Sequence, residues 1–388
     1  MIALAPIAVV LALLGAAAAA GTQADARAAR RKAVYWTSGA AALAIAELFT
    51  STVDIPVALV HTRHEALLCA AIALSGVLVA AMAPVSTHPP GVLARALLLV
   101  AVSCAFTVVR SEVVDLVLLA VSAWLAWSGL RGRPGGAGRL FALHQVPSLV
   151  LVAVGVATGV DVFVVLGLAI RAAAVPAHAW FPRFVGTAPM GLVVAFGTVP
   201  LGLVVPESAV ATVIGVVTAL CGAVFAVVQT DGRRSLAFLL VCGNGIVLAG
   251  GGWAAAVLAG SGLAMTVGAL AARRDALSFG TPVGDLSRTP RLAVAYLGFG
   301  LALAGFPLLA GFATAHHLLD HAAPAAVACL LVAVAVAGIA VVRGFLALFT
   351  GTSAETGERD LTPLENYAVA VTLALLVFGG LLPGVAVL

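Results

Sequence analysis

Runs of about twenty apolar residues recur along almost the whole chain, and the loops between them are only a few residues long. A helix needs about 20 apolar residues to cross the roughly 30 Å of bilayer hydrocarbon. Charged residues make up 9% of the 388 residues, against about 25% in soluble domains. The sequence therefore predicts an all-α polytopic membrane protein with about 14 transmembrane helices and little mass for a soluble domain.

The predicted spans follow one another closely, with boundaries that pattern alone places to within several residues. They lie near residues 2–20, 34–51, 64–84, 92–109, 113–130, 144–159, 161–180, 188–206, 209–229, 233–250, 253–272, 291–317, 323–349 and 367–387. The first span has no basic segment before it, so we expect a retained helix rather than a cleaved signal peptide.

The basic residues predict the orientation of the chain. With the N-terminus outside, fifteen lysines and arginines fall in inner loops, against Arg63 and Arg110 in outer loops. Cytoplasmic loops carry an excess of basic residues, so we predict a multi-pass protein of the cytoplasmic membrane with its N-terminus outside. The same placement explains the net charge of +4 without a nucleic-acid partner.

The sequence offers no catalytic or redox centre. The five cysteines stand singly inside apolar runs, without the spacing of a disulfide framework or a metal site. We find no glycine-rich phosphate loop, nucleophile elbow or pair of catalytic carboxylates. We therefore predict no metal and no cofactor in this chain, and the sequence leaves open whether it is a subunit of an enzyme.

Two predicted spans are interrupted by residues that break helices. The seventh carries an arginine, a proline and a histidine within eight residues, and the twelfth has a glycine-proline-glycine pattern: Arg171, Pro176 and His178, then Gly305, Pro307 and Gly311. Broken helices at corresponding places in two halves of a transporter indicate a repeat pair, because the freed backbone groups must avoid lipid. A simple proline kink is the alternative for either span.

Three motifs stand in the order and spacing of a known family. They are Arg171-Ala-Ala-Ala-Val-Pro-Ala-His-Ala-Trp-Phe-Pro182 with Gly186-Thr-Ala-Pro189, Gln229-Thr-Asp-Gly-Arg-Arg-Ser-Leu-Ala-Phe238, and Gly305-Phe-Pro-Leu-Leu-Ala-Gly-Phe312. The set resembles the antiporter-like membrane subunits of respiratory complex I, most of all the N-type subunit. It is similar also to their relatives in multisubunit cation/proton antiporters and membrane-bound hydrogenases. The resemblance covers roughly residues 110–350.

The resemblance implies a division of the chain. We expect N-terminal helices in residues 1–91, two inverted five-helix repeats in 92–206 and 209–350, each with a broken helix, and a loop with a C-terminal helix in 351–388. It also implies partners, namely other membrane subunits of a multisubunit complex in the bilayer, and through them a quinone-reducing, hydrogenase or uptake module.

In that family, proton movement is assigned to a line of charged groups at mid-membrane. The resemblance places its fifth-helix glutamate at Trp124 and its three lysines at Arg171, Leu201 and Ala315, so one of the four positions keeps a charge. Lys32 is the only lysine in the sequence. Because arginine holds its proton under nearly all conditions in proteins, the usual relay is expected to be largely lost.

The remaining polar residues within spans have alternative roles. Arg171 is either a fixed positive site in a hydrated half-channel or subunit contact, or a member of a structural ion pair. His178 either passes protons or satisfies backbone groups in the broken segment. Arg343 either pairs with a carboxylate of a neighbouring subunit or extends to the membrane surface.

A second polar cluster follows the lost lysine of the twelfth span. It comprises His316, His317, Asp320 and His321. It is either a shifted proton or ion site or a solvated helix end. His317 and His321 stand at helical i, i+4 spacing, but the cluster lacks the glutamate of a zinc-hydrolase motif and an evident third ligand, so we predict no metal there.

The sequence favours an antiporter-like integral subunit of a complex I-related, proton-translocating or redox-coupled assembly. With the relay largely lost, this subunit is expected to be structural or weakly transporting. The alternative is an active subunit of a multisubunit cation/proton antiporter or ion-coupled uptake system that uses arginine and histidine in place of lysine.

Overall fold

The computed structural model describes residues 5–49, 63–109, 111–197, 205–206, 208–274, 276–280, 286–312, 323–351 and 359–382. Its helices, in chain order, are α1 (Ala5–Gly21), α2 (Ala26–Leu48), α3 (Arg63–Met82), α4 (Pro90–Ala105), α5 (Glu112–Leu130), α6 (Ala137–Thr158), α7 (Asp161–Arg171), α8 (Trp180–Thr187), α9 (Met190–Gly197), α10 (Ala209–Val228), α11 (Gly232–Leu248), α12 (Trp253–Ala271), α13 (Pro290–Leu303), α14 (Pro324–Phe349) and α15 (Pro363–Leu381). Among these residues, Asp231 and Ser278 form an isolated antiparallel β-bridge.

Seven of the described helices are long and apolar enough to cross a membrane, namely α3, α5, α6, α10, α12, α14 and α15. Helices α1, α4 and α13 are apolar but shorter. The prediction of an all-α polytopic membrane protein is confirmed. The count of fourteen spans stays a prediction.

The first of two compact units consists mainly of residues 1–171 and 187–206. Helix α3 is buried on nearly every side and packs against α2 and α4, whereas α5 and α6 are exposed over most of their length. An apolar helix that is buried all round forms the core of a bundle. Unit 1 is therefore a helical bundle around α3, with α5 and α6 at its periphery.

The second unit consists of residues 172–186 and 207–387. Here α12 is the buried helix, in contact with α11, α13 and α15, while α14 packs against α10 and α13. Glycines allow close approach within this unit. A Cβ added at Gly215 or Gly245 would overlap the backbone of the facing helix in the α10–α11 pair, so small residues set the distance between these helices.

Two helices begin earlier than the apolar runs predict. Helix α2 begins at Ala26 instead of residue 34, and the Asp25 carboxylate caps it by accepting a hydrogen bond from the Ala28 N–H at 3.1 Å. Helix α6 begins at Ala137 instead of residue 144 and so includes Arg139. In both helices the first turns contain basic residues and precede the apolar segment. Hydropathy alone does not detect this polar part of a helix.

Both predicted interruptions are present, and the chain leaves the two helices in the same way. Helix α7 ends at Arg171 and α13 ends at Leu303. Two residues later the backbone has a positive φ in each case, 58° at Ala173 and 75° at Gly305. A left-handed residue shortly after the last turn is a common way to end a helix. The two spans are thus broken, not merely kinked.

Candidate functional site

Arg171 is the last residue of α7 and is buried in unit 1, with 5% of its surface exposed. Its Nη2 donates a hydrogen bond to the carbonyl of Phe196 in α9 at 3.0 Å. The guanidinium also lies over the Phe196 ring, 3.2 Å from its centroid, and that ring contacts Phe141 of α6 edge to face. A carbonyl and an aromatic face therefore hold this arginine, and its Nε has no acceptor among the described residues.

Helix α6 carries further polar groups on the face that includes Phe141. The Ser148 hydroxyl donates to the Gly167 carbonyl of α7 at 2.6 Å, which joins the two helices. Gln145 lies one turn from Phe141 and is 2% exposed, and neither its amide nitrogen nor its amide oxygen has a described partner. Both ends of this amide therefore remain available for a further hydrogen-bonding group.

In unit 2, the segment between α7 and α8 leaves backbone groups that two side chains bind. The Asn244 Nδ2 of α11 donates to the Ala172 carbonyl at 2.9 Å, and the Val175 N–H donates to the Thr218 hydroxyl of α10 at 3.1 Å. The Val175–Pro176 peptide is cis. Interior backbone without helical hydrogen bonds is tolerated in a membrane protein only where protein or water satisfies it. Here protein side chains do so.

His178 lies in the short 3₁₀ turn Ala177–Ala179 that follows Pro176. Its ring stacks on Phe225 of α10 with centroids 5.5 Å apart and lies 6.1 Å from the Phe238 ring of α11. Its Nδ1 is buried and has no described partner. The aromatic walls fix the imidazole while leaving one ring nitrogen for a further proton donor or acceptor.

The break after α13 depends on two glycines. Gly305 adopts the positive φ that ends the helix, and Gly311 packs directly on the carbonyl of Ala302, where any Cβ would clash. Pro307 lies in the intervening turn, where its missing N–H interrupts no helical ladder.

Arg343 lies six residues before the end of α14 and is half-buried. Its Nη1 donates to the carbonyls of Val227 and Gln229 at the end of α10, the latter at 2.7 Å. Its guanidinium faces the Phe279 ring at 5.5 Å. Within unit 2, Arg343 therefore binds the carbonyl end of a neighbouring helix, which is the favourable place for a positive charge.

Of the family charge positions that the resemblance identified as lost, the described residues include Trp124. It is 61% exposed on α5, on the same face as Val117 and Val121. An exposed apolar stripe at the periphery of a membrane protein suits contact with lipid or with another subunit. The other predicted positions lie outside the described residues: Leu201, Ala315, His316, His317, Asp320 and His321.

Arginines bind carbonyls at helix ends in unit 1 too. Arg30, near the start of α2, donates to the Ala81 carbonyl near the end of α3, and Arg133 donates to the Thr187 carbonyl at 3.0 Å. His88, in the α3–α4 loop, is 3% exposed. We call this set of helix ends, with the loops that join them, the basic end of unit 1.

The His88 ring caps a helix at that basic end. Its Nε2 accepts a hydrogen bond from the Gly191 N–H in the first turn of α9 at 3.0 Å, and its Nδ1 lies 2.9 Å from the Thr87 hydroxyl. Burial is the main cause that lowers the pKa of His88 from 6.5 to about 4. The Pro84 carbonyl opposes this effect, and the charges of two nearby arginines reinforce it.

The sequence analysis missed four of these residues, Gln145, Thr218, Asn244 and His88. Thr218 and Asn244 are single polar residues inside apolar runs, and each binds the backbone that follows α7. Gln145 directly follows His144 in α6. His88 directly precedes two prolines, Pro89 and Pro90, in a loop where no sequence pattern indicated its burial. Isolated polar residues within spans were therefore the signal available, but their partners were not predictable.

The chain was compared with family models, with curated proteins and with solved structures. No family model matches the chain. NADH-quinone oxidoreductase subunit N 3 of Streptomyces griseus subsp. griseus is 30% identical over 262 aligned positions, and the match covers 57% of this chain and 46% of that protein. The chain thus spans about half the length of the curated relative it matches.

Solved structures match almost the whole chain. A chain of respiratory complex I from Thermus thermophilus has a TM-score of 0.79 at 20% identity, covering 99% of this chain and 96% of that one. A chain of the Mrp complex from Dietzia sp. has a TM-score of 0.84 at 18% identity, with coverage of 99% and 96%. A chain of the archaeal membrane-bound sulfane sulfur reductase has a TM-score of 0.82 at 15% identity, with coverage of 96% and 75%.

These comparisons confirm the resemblance to the antiporter-like membrane subunits that the motifs predicted. The protein has their fold and is a multi-pass membrane protein. Its partners, its orientation and the state of its charge relay are matters of proposal.

Proposed function

We propose that this protein is an antiporter-like integral subunit of a multisubunit complex related to respiratory complex I or to Mrp-type assemblies. In this proposal its lysine and glutamate relay is largely lost, so that the subunit is structural or weakly transporting. It lies in the cytoplasmic membrane with its N-terminus outside.

The observation that carries the proposal is the setting of Arg171. A lysine in this place could lose its proton when buried, whereas arginine holds its proton under nearly all conditions in proteins. The carbonyl and ring of Phe196 hold its guanidinium in one position. Such a group supplies a constant positive charge, which suits a structural or electrostatic role better than a relay that must alternate between protonation states.

The orientation is supported by the arginines at the helix ends. At the basic end of unit 1, Arg30 and Arg133 contact helix-end carbonyls. In unit 2, Arg274 and Arg343 bind the last turns of α14 and α10. We call the ends of α10, α12 and α14 the basic end of unit 2. Since basic residues favour the cytoplasmic side, both basic ends are proposed to face the cytoplasm.

The partners follow from the relatives. The three solved complexes are multisubunit membrane assemblies, and in each the matching chain is one component. The exposed faces of α5 and α6, which include Trp124 and Leu143, offer surfaces for neighbouring subunits or lipid. The electron-transfer or uptake module attached to the complex would be identified by what co-purifies in mild detergent.

Proton pumping by the assembled complex tests the proposal. Arg171→Ala is expected to leave pumping per assembled complex within about twofold, because a group that does not titrate carries no proton. The matched control is Arg31→Ala, an exposed arginine of α2 in the same unit. If Arg171→Ala abolishes pumping at unchanged assembly while Arg31→Ala does not, the structural assignment is wrong.

One observation favours a second function, an active cation/proton antiporter or uptake subunit that uses histidine. The buried Nδ1 of His178 has no described partner, and the ring packs against Phe225 and Phe238. His178→Phe would keep an aromatic ring there but remove the titratable nitrogen. Ion flux in vesicles, with and without a sodium gradient, separates the two functions: a flux that His178→Phe abolishes supports the second and contradicts the first.

A further inference from the structure

A groove runs along unit 2 between α14 and the break that follows α13. Its volume is about 590 Å³, and its walls are apolar apart from Arg343 near one end. It follows α14 from Val334 to Leu346, a rise of about 18 Å at 1.5 Å per residue. This length matches one leaflet of the bilayer, about half of the 30 Å hydrocarbon thickness.

The Arg343 guanidinium provides a positive charge at the basic end of unit 2. Both of its described hydrogen bonds use Nη1 and go to neutral backbone carbonyls. Its described partners include no carboxylate, so its charge is not neutralised within these residues. The remaining N–H groups form the planar fork that binds phosphate oxygens with two parallel hydrogen bonds.

The groove opens toward the surroundings of the protein. Phe306 is 50% exposed and Ile339 is 58% exposed along it. An apolar groove that ends at a guanidinium without a described carboxylate partner matches an acyl chain attached to an anionic headgroup.

We propose that this groove binds one anionic phospholipid, with its phosphate on the Arg343 guanidinium and an acyl chain along α14 toward Phe306 and the α13 break. The lipid covers apolar side chains at an interrupted helix, where bare backbone in lipid is costly. It belongs to the leaflet at the basic end of unit 2. The site is independent of proton transfer, so it holds whether or not the protein transports ions.

Two variants of the protein test the site, one through the charge of Arg343 and the other through the space in the groove. Arg343→Gln removes the charge and is expected to weaken retention of anionic lipid about tenfold, the worth of a charge-assisted hydrogen bond. Gly338→Leu fills the groove instead. A Cβ at Gly338 meets no atom within 4 Å, and leucine favours helix more than glycine, so this variant should fold normally.

The matched control is Gly39→Leu, an exposed glycine of α2 whose added Cβ also meets nothing within 4 Å. The proteins are purified from membranes in mild detergent, and native mass spectrometry counts the phospholipids retained. Phosphatidylglycerol and phosphatidylcholine are then added back to delipidated samples. Wild type and Gly39→Leu should retain one phosphatidylglycerol per chain in preference to phosphatidylcholine, while Gly338→Leu and Arg343→Gln should not.

Three results would overturn the proposal. They are equal retention of the two lipids by wild type, undiminished retention by Gly338→Leu, and a crosslink to another protein subunit from a photoreactive residue at position 339. A crosslink from that position to lipid supports it. The second of these results, together with loss of retention by Arg343→Gln, would assign the lipid to a surface charge.

Discussion

His88 should make the stability of unit 1 depend on pH. The Gly191 N–H points at its Nε2, so a proton on that nitrogen would break the hydrogen bond and place a positive charge in a buried site. The groups that face the ring are the Pro84 carbonyl, the Thr87 hydroxyl and the Gly191 N–H, with the charges of Arg30 and Arg133 nearby. Burial is the largest cause of the low pKa of about 4.

The sign follows from proton binding. Between pH 6.5 and 4 the unfolded state binds a proton at His88 and the folded state does not. The stability contributed by the neutral ring is therefore complete above pH 6.5 and is lost as the pH falls toward 4. One pH unit corresponds to 1.36 kcal/mol, so this histidine should cost about 2 kcal/mol at pH 5 and about 3 kcal/mol at pH 4.

Other groups titrate in the same range, so the measurement must be a difference. The variant is His88→Gln, whose amide oxygen can still accept from the α9 N–H but does not bind a proton in this range. Unfolding in detergent, followed by tryptophan fluorescence at pH 7, 5 and 4, gives the free energy for both proteins. From pH 7 to 4, wild type should lose about 3 kcal/mol more than His88→Gln. Equal losses would refute the assignment of a buried, neutral histidine.

Three further predictions use the same unfolding assay at pH 7. Gly245→Ala forces a methyl group into the Ala219 backbone and should cost about 1–3 kcal/mol, whereas the same change at Gly39, which faces open space, should cost nothing. Asn244→Ala leaves the Ala172 carbonyl without its donor and should lower the free energy of unfolding by about 1–3 kcal/mol. Asn244→Val, which keeps a side chain of similar size, should lower it by as much. Glu365→Ala removes both an ion pair of 2.9 Å and the capping box of α15, and should cost about 2 kcal/mol; an unchanged midpoint would show that neither contributes.

The apolar pattern predicts the elements of this fold because membrane helices need little else. A run of about twenty apolar residues has one stable structure in lipid, since every backbone group must be satisfied within the segment. The breaks were predictable too, because Pro176 has no N–H for a helix ladder and Gly305 readily adopts the positive φ that ends a helix. The partners, Asn244 and Thr218, were not predictable, because they come from helices far along the sequence.

For the arginines, the sequence predicted one role and not the other. Their positions in the sequence predict orientation through their charge alone. In the structure, Arg30, Arg133 and Arg343 each donate to a backbone carbonyl near a helix end. The last four carbonyls of a helix lack partners within the helix, and arginine offers several donors on a long stem. The arginines at the helix ends therefore both set the orientation of the chain and cap helices. The sequence predicts the first of these roles, and the structure is needed to identify the second.

This dual use bears on how the absence of lysine is interpreted. Arginine stands in nearly every basic position of the chain, including exposed ones, and Lys32 is the single exception. A general preference for arginine would also place this residue type at position 171, so the evidence there is the way the carbonyl and ring of Phe196 hold the guanidinium. Independent support comes from a predicted position where the charge is missing altogether. At Trp124, an exposed tryptophan occupies the predicted glutamate position on α5, and no arginine-for-lysine preference explains that change. Trp124→Glu in the assembled complex is thus the sharper probe of the relay than any change at Arg171: increased pumping would mean that the rest of the pathway is intact, and unchanged pumping at unchanged assembly would mean that it is absent.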